Sequence, residues 1–152
     1  MKTYYSIFLL LIFNYSFACS CIPTPSMEKA LDETDVVVTG KVLSKESFGK
    51  KDGRLPRYFA SNVKYKVEVT KIHKGKIKKG IITIVTGPAM GGDCGVFFQI
   101  GKSYTIYAEV TLIDIGGKKV EFLETTICTR TAKADKTESA KIEKYCKLKG
   151  YS

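Results

Sequence analysis

Five cysteines behind an N-terminal apolar run constrain this chain more than any other feature of it. Met1-Lys2-Thr3 gives a short positive start, and Tyr4 to Phe13 is almost unbroken apolar sequence. Ser16-Phe17-Ala18 then places small residues where a signal peptidase reads them. The run is too short for a permanent bilayer span, so no stable membrane span is expected. Residues 1–18 are predicted to be a signal peptide and residues 19–152 one mature domain. Cys19, Cys21, Cys94, Cys128 and Cys146 all survive that cut, and in oxidising surroundings they read first as disulfide partners. Five is odd, so at least one thiol is unpaired or pairs between chains, and the sequence leaves the pairing open. A cysteine directly after the cut could instead be lipidated, although Ser16 and Phe17 fit that signal poorly. The expected localisation is secreted, extracellular or periplasmic, with a lipid-anchored form as the alternative.

The chain carries 25 Lys+Arg against 15 Asp+Glu, a formal charge of +10 over 152 residues. Export makes nucleic acid a poor partner for that charge. Lysines 64, 66, 71, 74, 76, 78 and 79 could form a basic stripe. Its simplest meaning is a solvated strand face. A polyanion-binding face built on Lys64, Lys66, Lys74 and Lys76 is the functional alternative. Enzyme chemistry finds little to work with. His73 is the only histidine and lies among lysines rather than beside a nucleophile, so it reads as a surface histidine. No cluster of His and carboxylates has metal-site spacing. The expectation is a protein that is not an enzyme and holds no metal or cofactor of its own.

Along the mature chain, Pro23-Thr24-Pro25 stiffens the start, and Ser26 can cap a short helix through Glu28–Leu31. The β-branched run Asp35–Leu43 predicts a buried strand, and polar Ser44–Asn62 a long exposed loop. Val63, Tyr65, Val67 and Val69 alternate with Lys64, Lys66, Glu68 and Thr70, the period of a strand with one wet face. Further strands are expected at Gly80–Val85, Tyr104–Val110 and Val120–Leu123, the last two joined through Gly116-Gly117. Asp135 with Glu138 has the form of a capping box, opening a helix that places Ile142, Tyr145 and Cys146 on one face. The sum is a small β-barrel with a helix at each end of the chain.

An ordered set of motifs remains. Cys19-Ser20-Cys21-Ile22-Pro23 stands at the mature start, and Asp35-Val36-Val37-Val38 opens the first strand. Val69-Thr70-Lys71-Ile72-His73-Lys74-Gly75 ends the second, followed by Pro88-Ala89-Met90, Cys94-Gly95 and Thr125-Thr126-Ile127-Cys128. From about Cys19 to Thr131 this set resembles the tissue inhibitors of metalloproteinases. The resemblance implies a mainly β fold: a netrin-like, five-stranded OB-fold barrel with a short N-terminal helix and a C-terminal helix. It implies disulfides Cys19–Cys94 and Cys21–Cys128. It also implies inhibition of a zinc metalloprotease, the free α-amino group and carbonyl of Cys19 chelating the protease's zinc. Ser20, Cys21, Ile22 and Pro23, with Met90, Gly91, Gly92 and Asp93, would contact the protease. The runner-up is a netrin-like binding module that recognises polyanions or a partner protein. Two departures stand out. Gly91-Gly92-Asp93 replaces bulkier or polar residues, and no cysteine near Asp32 supplies the family's third bridge. Cys146, left alone, reads as a buried thiol beside Ile142 and Tyr145, and a monomer is expected unless it bridges two chains.

Overall fold

Three consecutive valines, Val36-Val37-Val38, are all buried, at 3%, 0% and 0% exposure. A strand whose side chains alternate between faces can do this only when both faces are covered, and that requirement organises the molecule. The computed structural model describes residues 21, 23–48, 62–88, 94–115 and 117–151. Its elements are α1 (Met27–Glu33), β1 (Val36–Ser47), β2 (Val63–Lys74), β3 (Ile81–Thr86), β4 (Ser103–Ile115), β5 (Lys118–Glu124), β6 (Ala132–Lys133) and α2 (Lys136–Lys149). A single 3-10 turn, Ile127–Thr129, follows β5.

The sheet runs β1-β2-β3-β5-β4-β6, and β1 also pairs with β4, so five strands close into a ring. All neighbours are antiparallel except β3 and β5. This is the five-stranded barrel expected of an OB fold, with the two-residue β6 added at the start of β4. β1 closes it by serving two partners: Val36–Lys41 pair with β4, while Val37–Ser47 pair with β2. Register shifts along the β1–β2 ladder bend the strand for this double role. At Gly40 the strands approach so closely that an added Cβ would stand 2.8 Å from the Glu68 carbonyl oxygen. β1 extends beyond Leu43 to Ser47, and β4 beyond Val110 to Ile115. Asn62 is buried, and its carbonyl accepts from the Phe48 N–H. The expected exposed loop is therefore strand and strand-end at its two borders, and residues 49–61 lie outside the described residues.

Inside the ring, Val38, Val42, Tyr65, Val67, Ile84, Phe98 and Ile106 form the core. Phe98 meets Tyr65 and Tyr104 edge-on, with ring centroids 5.0 and 4.9 Å apart, the favoured aromatic geometry. Outside it, Val37 and Tyr107 point the other way and pack against Ala30 and Leu31 of α1 and Ile142 and Cys146 of α2. Both helices begin as the sequence predicts: Ser26 accepts from Lys29 N–H and Asp135 from Glu138 N–H. Gly150, in the left-handed region at φ 70°, ends α2. Cys146 is a free, buried thiol on the face that packs against α1, and burial pushes its pKa up.

Candidate functional site

The segment leaving β5 is fixed to the barrel residue by residue. Thr125 is fully buried; its N–H donates to Val85 O at 3.0 Å and its hydroxyl to Tyr107 O at 2.7 Å. Thr126 caps the 3-10 turn by accepting from Cys128 N–H, and the Thr129 hydroxyl donates back to Thr126 O. Tyr107 N–H donates to the Thr131 hydroxyl at 2.9 Å. Cys128 is thus held by backbone and hydroxyl bonds that leave it little freedom.

On that platform Cys128 bonds to Cys21 across 107 residues, with Cα atoms 5.2 Å apart. A second restraint acts four residues further on. Arg130 donates from Nη1 to Pro25 O at 3.0 Å and from Nε to Glu138 Oε1 at 2.9 Å. It thereby ties the N-terminal segment to the first turn of α2. Cys94 joins the same rim: its carbonyl accepts from Ile127 N–H at 2.9 Å, and Val96 N–H donates to the buried Thr86 hydroxyl at 2.8 Å. The sulfurs of Cys21, Cys94 and Cys128 lie within 4.8 Å of one another. All three cysteines are disulfide-bonded, which leaves no thiolate to hold a metal.

Of the residues singled out for protease contact, Cys21 and Pro23 fall in the described structure, and Pro23 is exposed. Cys19, Ser20, Ile22, Met90, Gly91, Gly92 and Asp93 lie outside the described residues. Sequence reading gave Arg130 no role and quoted Thr125, Thr126 and Ile127 only as part of a motif, without the contacts they make here. Ile127, next to Cys128, is 45% exposed, an apolar side chain presented at this rim. Glu138 was read as a capping-box partner, yet its carboxylate pairs with Arg130.

The lysine stripe is not one free cationic face. Lys64 and Lys66 both pair with Glu46, at 3.1 and 3.6 Å. They hold its carboxyl below the usual carboxylate range, the Lys64 hydrogen bond acting most strongly. Lys71 pairs with Glu143 of α2. Lys74 donates to Leu31 O and Thr34 O at 2.5 and 2.6 Å and lies 4.6 Å from the Tyr151 ring centroid. It caps α1 rather than meeting solvent. Lys76 is left without an ion pair among the described residues. The four lysines thus have three different local roles.

His73 is likewise corrected: it is buried, not on the surface. α2 packs over this end of β2, which the lysines flanking His73 in sequence conceal. Its Nε2 lies 2.9 Å from the Thr39 hydroxyl, while Nδ1 has no partner. Burial, then the Lys71 charge, hold the imidazole below its ordinary value of 6.5. The unfolded chain therefore takes up a proton at a pH where the folded chain does not. The stability tied to neutral His73 is complete above about pH 6.5 and is lost as pH falls through the lowered folded value. Urea midpoints measured from pH 7.5 to 5.5 should fall for the native chain and flatten for His73→Gln. An identical slope in the variant would assign the effect elsewhere.

The structure is thus a closed OB-type barrel with its N-terminal segment fastened to one rim. Family comparison makes this specific: the family described as Tissue inhibitor of metalloproteinase matches residues 17–142. The chain belongs to the tissue inhibitor of metalloproteinase family. Proteins of this family are inhibitors that bind metalloproteinases, not enzymes, and are typically secreted. A search of curated proteins finds no match to the chain. Among the described residues, no helix is long and apolar enough to cross a membrane.

Proposed function

We propose that residues 1–18 are removed and that the mature chain, beginning at Cys19, inhibits a zinc metalloprotease by chelating its catalytic zinc. The α-amino nitrogen and carbonyl oxygen of Cys19 together close a five-membered ring on one metal. A catalytic zinc keeps one position for the water that attacks substrate, and filling it removes the nucleophile. The amine must be neutral to donate, and an α-amino pKa of about 7.7–8.0 leaves a useful neutral fraction at neutral pH. Ser20, Ile22 and Pro23 then run along the cleft, with Met90–Asp93 beside them.

The observation that carries this reading is the Cys21–Cys128 bridge, two positions on from Cys19, on a platform that also anchors Cys94. Pairing of Cys94 with Cys19 is the remaining link of the proposal. Rigidity matters because ordering a free N-terminus on binding costs affinity that a pre-ordered one keeps.

The test is titration against a zinc endopeptidase catalytic domain in zinc-loaded and zinc-stripped forms. Binding to the stripped form is expected to be weaker by at least about 100-fold, or roughly 2.7 kcal/mol. Equal binding to both would remove chelation from the mechanism. Intact mass of the exported protein should show a start at Cys19, two disulfides and no lipid. An acylated Cys19 amine could not donate to zinc, so a lipid adduct would also sink the reading.

A further inference from the structure

β3 and β5 are the parallel neighbours of the barrel, and their ladder has two pairs, Ile84↔Leu123 and Val85↔Glu124. The strands are longer than that, Ile81–Thr86 and Lys118–Glu124. Before the ladder they part, and a cavity of ≈ 780 Å³ opens between them, walled by Ile77, Ile82, Val110, Val120, Phe122 and Leu123. Apolar surface is uncovered here: Val110, on its wall, is 39% exposed.

The main chain on both walls is unpaired in a regular way. Val69 N–H donates to Gly80 O. Antiparallel alternation then turns the peptide groups of Ile82 and Ile84 toward β2, and those of Ile81, Thr83 and Val85 away from it. Val85 confirms the phase, since its carbonyl accepts from Thr125 N–H on the β5 side. By the same alternation Lys119 and Glu121 of β5 face β3. The Ile84↔Leu123 pair already uses the Thr83 carbonyl, so beyond it the Thr83 N–H and the peptide groups of Ile81, Lys119 and Glu121 carry no ladder pairing and border the apolar slot. Lys76 and Glu121 line it with no ion-pair partner among the described residues. Asp35, also at its edge, is already bonded to Val110 N–H.

We propose that this slot takes an extended peptide segment of a partner protein as an added β-strand. The main chain of such a segment pairs with the edges of β3 and β5, and its alternate apolar side chains seat against Ile82, Val120 and Phe122. Strand addition to an open edge is an established mode of peptide recognition, and unpaired edges next to apolar surface invite it. An aliphatic amphiphile fits the walls but leaves their donors and acceptors unanswered. A peptide answers both. The oppositely charged Lys76 and Glu121 suit a segment carrying both signs, and strand direction follows from which end each side chain meets.

The experiment uses the full exported chain and a fluorescent peptide, acetyl-Lys-Val-Thr-Val-Thr-Val-Glu-amide. Comparators are the same peptide N-methylated at its valines, and sodium dodecanoate. The peptide is expected to slow amide hydrogen exchange at Thr83 and Glu121 at least ten-fold. N-methylation should weaken binding at least ten-fold, and dodecanoate should not displace the peptide. Thr83→Pro removes one slot-facing N–H while leaving the β2–β3 ladder, and should also weaken binding at least ten-fold. If that variant fails to fold, the N-methylated comparison on the native chain decides. Equal binding of the N-methylated peptide, displacement by dodecanoate, or no exchange protection at about 1 mM peptide overturns the proposal.

Discussion

A single alanine placed ahead of Cys19 is expected to weaken protease inhibition by at least about a thousandfold, roughly 4 kcal/mol, with no change in melting temperature. The added residue carries the free amine one Cα step, about 3.8 Å, away from its place. Metal coordination tolerates errors of only about 0.2 Å. It also converts the Cys19 nitrogen into an amide, whose lone pair is delocalised and cannot serve as a ligand. The Cys21–Cys128 bridge and the Arg130–Pro25 bond lie beyond the extension, so the barrel and its rim stay as they are. Acetylating the amine of the unextended chain should do the same without adding bulk along the cleft. Inhibition should also weaken by about tenfold for each pH unit below the amine pKa, since protonation occupies the donor lone pair. An extended protein that inhibits as well as the native one would leave the rim as an ordinary docking surface.

The barrel was legible in the sequence because its signals are local. Val36–Val38 reads as buried on both faces, the Val63–Val69 alternation gives one wet face, and Ser26 and Asp135 mark helix starts. The site was legible through its cysteines, whose pairing came from the family resemblance rather than from spacing. What stayed hidden depends on partners far along the chain. Lys74 looks like one more lysine until α1, more than 40 residues earlier, presents its terminal carbonyls. His73 looks exposed until α2 covers it, and Lys71 looks free until Glu143, 72 residues later, meets it. The β3–β5 slot was invisible for a related reason. Alternation reveals which face of a strand is wet, but not how far two parallel strands remain paired.

A polar clasp joins the two ends of the described chain outside the barrel. Near the end of α1, Asp32 accepts from Tyr145 Oη at 3.0 Å and Tyr151 Oη at 2.7 Å, with Lys149 Nζ 3.8 Å away. The Tyr151 hydrogen bond, acting most strongly, holds the Asp32 carboxyl below its usual range. Lys74 completes the group by capping α1 beneath the Tyr151 ring. α1 is thus joined to Tyr145 of α2 and to Tyr151 just beyond it, across more than 110 residues, by hydrogen bonds. Such a clasp is exposed, reversible and sensitive to acid, since protonation of Asp32 removes an acceptor. It does not replace what a disulfide does to the unfolded chain.

That difference gives the second large expectation, for Cys21→Ser with Cys128→Ser. The bridge spans 107 residues, and in the chain-entropy account a loop of that length contributes about 4–5 kcal/mol by restricting the unfolded state. Loss of that amount from a domain of this size should lower the melting temperature by roughly 15–25 °C. The barrel core contains neither sulfur, so the double variant should still fold at low temperature, with near-native CD. Inhibition should fall further than unfolding accounts for. At 10 °C, where the variant is folded, the segment before Pro25 has lost its tie to Cys128 and keeps the Arg130 hydrogen bond and the proposed Cys19–Cys94 bridge. Ordering it on the protease then becomes a cost of binding, about 0.5–1.5 kcal/mol for each side chain newly fixed. Inhibition constants measured at 10 °C and corrected for folded fraction separate the two effects. A corrected constant equal to the native one would mean that the bridge serves stability alone and that the N-terminal segment is ordered by other contacts.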